Sequence, residues 1–196
     1  LYFDKYLFSS FFLNLIWIKS SYMNYKLIAL LCFTINISFS QNDPTIVFSG
    51  KVTDGHNKKL NNVIIDVSVE DSIYKTAISG TNGEYNITGV EYGNIYNLLY
   101  KKDGMVAKSL SIDTKNGYDL KSVVIKTYID LDISLIKRHG DFDYAVIEKK
   151  PVAKAHINPK TSKIDWDQIY NDHRKNEIYV FLKNIEKDYY KSAKDK

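Results

Sequence analysis

The stretch from Ser122 to Leu135, SVVIKTYIDLDISL, places Val123, Ile125, Ile129, Leu131, Ile133 and Leu135 at odd positions with polar or mixed residues between them. A period of two puts these side chains on one face of an extended strand, and no helix can collect them on one side. The same alternation begins at Thr45. Ile46, Phe48 and Val52 share a face, then Val63, Ile65, Val67 and Val69, then Tyr85 and Ile87, then Tyr96, Leu98 and Tyr100. Turn-forming clusters separate the runs: DGHNKK, TNGE, EYGN, KKDG and KNGYD. Half-buried strands of this length and spacing predict a mainly β fold, a seven-stranded antiparallel β-sandwich over 45–136.

The glycine-rich segment 77–100 raises the question of a ligand cradle. No Lys-Ser or Lys-Thr follows its glycines and no helix pattern opens after it, so a phosphate loop lacks its essential parts. Asn82-Gly83 lies between two alternating runs and predicts a type I′ hairpin turn, because both central residues of that turn need a positive φ. Gly80, Gly89 and Gly93 are expected at strand ends or bulges.

Several pieces taken in order carry a resemblance: Gly50-Lys51-Val52-Thr53-Asp54, Asn62-Val63, Thr81-Asn82-Gly83-Glu84-Tyr85, Gly89, Gly93, Tyr96 and Lys102-Asp103-Gly104. Over roughly 45–113 the chain resembles the carboxypeptidase regulatory-like domain, a transthyretin-like, prealbumin-type sandwich of secreted and envelope proteins in Bacteroidetes-type bacteria. The resemblance implies a structural module and transfers no catalytic residue. The enzymatic branch of transthyretin-like folds, the hydroxyisourate hydrolases, ends in a Tyr-Arg-Gly-Ser-type motif, whereas this chain ends SAKDK.

After Ile136 the pattern changes. Residues 137–164, with Pro151 and Pro159, are expected to be a connector. A C-terminal helix is predicted over 165–192, with Asp165 and Gln168 as a capping box. Trp166, Ile169, Tyr170, Ile178, Phe181, Leu182, Ile185 and Tyr189 recur near its period. Lys191, Lys194 and Lys196 suit its C-terminal end. Trp166, Tyr170, Phe181 and Tyr189 form a candidate interaction surface, which either docks on the sandwich or receives a partner.

Catalytic signals are sparse. His56, His139, His156 and His173 have no second histidine at ligand spacing, so no metal site is expected. Asp113, Asn116 and Asp119 lack the closing Glu of a calcium loop. Asp130 and Asp132 offer paired carboxylates, but on a polar strand face. His139, Asp141 and Asp143 cluster in what is expected to be a surface loop. Ser49 and Ser79 lack a nucleophile-elbow context. Asn86-Ile87-Thr88 is formally a glycosylation sequon. No cofactor is expected.

The N-terminal part reads differently. From Met23, Lys26 precedes an apolar run, 27–39, and small residues Ser38 and Ser40 precede Gln41. That is the grammar of an export signal over 23–40, and the run falls short of the about 20 residues a span requires. Residues 1–22 precede this start and are expected to be a segment mis-translated from upstream; the alternative is a membrane anchor running through 6–39. Cys32, the single cysteine, lies inside the signal, so the exported part forms no disulfide. Past residue 40 the formal charge is about +2, which makes no case for nucleic acid. The sequence therefore predicts a non-enzymatic exported module in the periplasm or at the outer membrane, with an envelope protein or glycan as partner. The alternative is an accessory domain of an envelope peptidase or glycan-processing complex. Membrane contact is expected only through the N-terminal segments, if they are uncleaved.

Overall fold

The alternating runs become two sheets with their apolar faces together. The structure, a computed structural model, describes residues 45–116, 126–161 and 163–194. The export signal, residues 1–22, Cys32, Asp119, Val123, Ile125 and Lys196 lie outside these. The first sheet holds β1 (Thr45–Asp54), β4 (Glu84–Glu91), β6 (Met105–Val106), β8 (Lys126–Asp130) and β9 (Ile133–Lys137). The second runs in the order β11 (Ile164–Trp166), β10 (Ala153–Ile157), β7 (Lys108–Asp113), β5 (Ile95–Lys101), β2 (Ile64–Val69) and β3 (Ser72–Ile78). Two α-helices are present among the described residues, α1 (Ala145–Glu148) between β9 and β10 and α2 (Gln168–Lys194) after β11. None of the described helices is long and apolar enough to cross a membrane.

Between the sheets lie Ile46, Phe48, Val52, Ile87, Ile129 and Leu135 from one side and Ile65, Val67, Tyr96, Leu98 and Ile112 from the other, all buried. Each such side chain contributes about 1.5–3 kcal/mol on leaving water. Tyrosines complete the core with their hydroxyls paired. Tyr100 donates to Tyr85 (2.7 Å), and Tyr85 donates to the Leu131 carbonyl (2.7 Å), so one hydrogen-bonded chain crosses from sheet to sheet.

The sandwich departs from the expected pairing in three places. β1 runs parallel to β8 over Thr45–Ser49 and parallel to β9 over Val52–Asp54, and β10 runs parallel to β7. Alternation reports which face a residue takes and is blind to strand direction. The strand count also exceeds seven among the described residues, because 137–164 is not only a connector. Ala153, Ala155 and Ile157 alternate inward on β10, which extends the second sheet, and Pro151 and Pro159 bound that strand rather than mark a linker.

The turn at Asn82-Gly83 is not type I′. Gly83 N–H donates to the Gly80 carbonyl (2.9 Å), so Thr81 and Asn82 are central, and neither has a positive φ. Gly83 follows with φ +74°, and Gly80 N–H donates to the Glu84 carbonyl (2.9 Å). This is the three-residue loop with a left-handed closing glycine. It passes the chain from β3 in one sheet to β4 in the other. A Cβ on Gly83 would stand 2.5 Å from the Val52 carbonyl oxygen, so backbone approach demands glycine as well.

Helix α2 starts at Gln168, not Asp165, because Asp165 and Trp166 pair with β10 in β11. Asp167 is the cap and accepts the Tyr170 N–H (3.0 Å). The docked stripe is Asn171, Arg174, Ile178, Phe181, Leu182 and Ile185. The four apolar members pack on a second small core of Val106, Tyr144 and Ile147. Asn171 bonds both main-chain groups of Lys154 on β10 (2.8 and 3.1 Å), as a neighbouring strand would. Arg174, only 2% exposed, donates to the carbonyls of Val146 (2.8 Å), Pro151 (3.1 Å) and Lys150 (3.3 Å), and pairs with Glu177 (2.5 Å). Ile169, counted in the stripe from its spacing, points away and is 87% exposed.

Three outcomes test this architecture. Gly83→Val is expected to destabilise by about 3 kcal/mol, through left-handed strain and the clash with Val52, while Asn82→Gly stays near neutral. An unchanged urea midpoint for Gly83→Val would refute the turn.

Arg174→Met leaves the Val146 and Lys150 carbonyls and Glu177 without this donor and removes the fork that fixes the helix, so a loss of about 3 kcal/mol is expected, with new binding of a hydrophobic dye. Ile169→Ala should change neither readout.

Lys108 faces Tyr100 in register and donates to the Ser134 carbonyl (2.6 Å). Burial lowers its pKa from 10.5 to about 8. The unfolded chain therefore holds this proton between pH 8 and 10.5 when the folded chain has released it, and the stability contribution rises with pH through that window. Lys108→Met should gain on the parent at pH 7 by about 1–3 kcal/mol more than at pH 10.5, measured as the difference in unfolding free energies.

Candidate functional site

β1 changes partner midway, and a cleft opens where it does. Leu131 N–H donates to the Ser49 carbonyl (2.7 Å) and Lys51 N–H to Asp132 Oδ1 (2.6 Å), which bridges the interval between β8 and β9. Gly50 lies between these bonds, and a Cβ there would meet the Leu131 carbonyl oxygen at 2.4 Å. On the outer face above this junction is a cleft of about 710 Å³. Its floor is a row across three neighbouring strands: Asn86 stands opposite Ser49, and Ser49 opposite Asp130. The next row holds Glu84 opposite Lys51, joined at 3.4 Å.

Beneath the cleft is Tyr85. Burial pushes its phenol pKa far up, and neighbouring Tyr100, Asp130 and Asp132 push the same way. It remains a neutral donor to Leu131. Asp130 and Asp132, noted as a carboxylate pair, do share the cleft, but Asp132 is occupied by the Lys51 N–H.

Several of the other candidates have structural employment. Ser79 accepts the Val63 N–H (2.9 Å) and donates to the Leu60 carbonyl (2.8 Å). Asp113 accepts the Lys115 N–H (2.8 Å). Asp143 accepts the Ala145 N–H at the start of α1 (2.9 Å), and His139 N–H donates to the Tyr144 hydroxyl (3.1 Å). His156 stands in register between Asp113 and Asp165, with Asp165 held by Asn158 (2.7 Å). Among the described residues no three His, Cys, Asp or Glu side chains gather as metal ligands.

The four aromatic residues of the candidate interaction surface have different surroundings. Phe181 packs edge-on against buried Tyr144, with ring centroids 5.8 Å apart. The Tyr170 hydroxyl donates to the Pro151 carbonyl (2.7 Å), and the Lys154 ammonium lies 4.4 Å from its ring. Tyr189 lies 6.0 Å from His139, and Trp166 is half-exposed on β11. Sequence reasoning missed Arg174 and Asn171. Their signal was their place on the Ile178 stripe, one and two turns earlier. It also missed Tyr128, which shares the polar face of β8 with Asp130 and is 69% exposed.

The chain matches no family model and no curated protein. Solved structures match at low similarity. Against 3-chlorocatechol 1,2-dioxygenase from Rhodococcus opacus the identity is 12%, with 49% of this chain and 61% of that chain covered and a TM-score of 0.36. Against BcpA, the major pilin subunit of Bacillus cereus, it is 15%, with 48% and 31% covered and a TM-score of 0.35. Against a protein of unknown function from Bacteroides fragilis, described as membrane-associated, it is 13%, with 50% and 30% covered and a TM-score of 0.33. The chain thus spans less than two thirds of each of these three proteins. No activity, ligand or location passes from them to this chain.

Proposed function

We propose that this chain is a non-enzymatic β-sandwich module, exported to the bacterial envelope, where it has a binding or structural role. The observation that carries the reading is how its polar side chains are used. Asp54, Asp132, Asp143, Asp167, Ser79 and Arg174 all hold main-chain groups, so the chain's hydrogen-bonding chemistry is spent on shape. Ser49, Asn86 and Asp130 lie together on an outer strand face, where a module meets a ligand rather than reacts with it. The export grammar of 23–40 supports the location. An accessory role beside an envelope peptidase or glycan-processing enzyme is the second reading, favoured by the openness of that face to a large partner.

Expression of the full chain in a Bacteroidetes-type host tests the proposal. The protein is expected in the periplasmic or outer-membrane fraction, with an intact mass corresponding to a start at Gln41. Recovery from the cytosol with residues 1–40 retained would overturn it.

A further inference from the structure

The geometry points to the outer face of the first sheet as a binding site for a hydroxyl-rich glycan, which rests on the envelope reading above. The row Asn86–Ser49–Asp130 offers an amide, a hydroxyl and a carboxylate on three adjacent strands. Strand spacing sets them about 4.8 Å apart, close to the width of one sugar ring. Sugar hydroxyls both donate and accept, and this mixed row answers them in a way that a purely acidic or basic patch does not. Two residues along β8 from Asp130, on the same face, Tyr128 is 69% exposed. That ring stands about 7 Å up the strand, with the Lys126 ammonium 5.6 Å from its centroid, and the apolar C–H face of a neighbouring sugar would rest against the rest of its exposed surface.

Charge argues against the competing occupant, a cationic peptide. Of the carboxylates at the cleft, Glu84 is joined to the Lys51 ammonium and Asp132 to the Lys51 N–H. Asp130 remains, and one carboxylate beside an amide and a hydroxyl suits a neutral ligand. The volume of about 710 Å³ accommodates a short oligosaccharide and lies within the range of ordinary ligand sites.

The test is calorimetric titration of the exported chain, residues 41–196, with chitohexaose, maltohexaose and xylohexaose, and with decalysine as the cationic probe. At least one hexaose is expected to bind. Tyr128→Ala and Asp130→Asn, both at exposed positions, should each weaken that binding about tenfold while the urea midpoint stays at the parent value. Absence of heat with all three hexaoses at millimolar concentration, or equal affinity in both variants, would overturn the site. Salt-sensitive decalysine binding that survives Tyr128→Ala would overturn it in favour of a cationic polymer. Cell fractionation of the Tyr128→Ala chain separates the two levels: an envelope location with lost glycan binding supports both, whereas an envelope location with no glycan binding in the parent removes only the site.

Discussion

The fold depends on one strand serving three neighbours. β1 pairs with β4 along one edge and with β8 and then β9 along the other, and the handover falls at Gly50. A ladder interrupted in this way strands a carbonyl, that of Leu131, inside the molecule. An unpaired buried carbonyl costs about 1–3 kcal/mol. The Tyr85 hydroxyl satisfies it, and Tyr100 satisfies Tyr85 in turn. The break in one sheet is therefore tied to the middle of the other, and the tyrosines are required by the geometry of β1 rather than by apolar packing alone.

The C-terminal part follows a different logic. α2 carries a modest apolar stripe, and its first two docking residues are polar. Asn171 completes the edge of β10, and Arg174 collects carbonyls around the end of α1. Such groups demand one register, since sliding the helix by a turn would leave every partner unpaired. Apolar contacts at Phe181, Leu182 and Ile185 then add affinity without deciding position. Arg suits this task better than Lys because its planar fork reaches several acceptors at once.

How much of this was legible depends on which physical quantity the sequence encodes. Face preference is encoded residue by residue, so Ile46, Phe48, Ile65, Tyr85 and Ile129 could be assigned to the core from alternation. Strand direction is encoded only in long-range pairing, which is why parallel β8, β9 and β10 were not foreseen. Asn82-Gly83 announces a left-handed glycine, but the residue that precedes the turn decides its type, and here Gly80 shifts the centre back by one. Arg174 was invisible because a charged residue within an apolar stripe looks like its solvent border. The Asn86–Ser49–Asp130 row could not be read at all: its members are separated by 37 and 44 positions in sequence and become neighbours only through register.

That separation has a kinetic side. The bonds that close the first sheet, Lys51 to Asp132 and Ser134 to Asp54, join residues 81 and 80 positions apart. Closing such loops costs entropy before any contact repays it, and chains dominated by distant pairings fold slowly. Among the described strands β1 emerges first from any N-to-C process, yet it cannot complete its open edge until Leu135 has followed. During that interval β1 has its partner β4 on one edge only, and its other edge stays open to any strand that meets it.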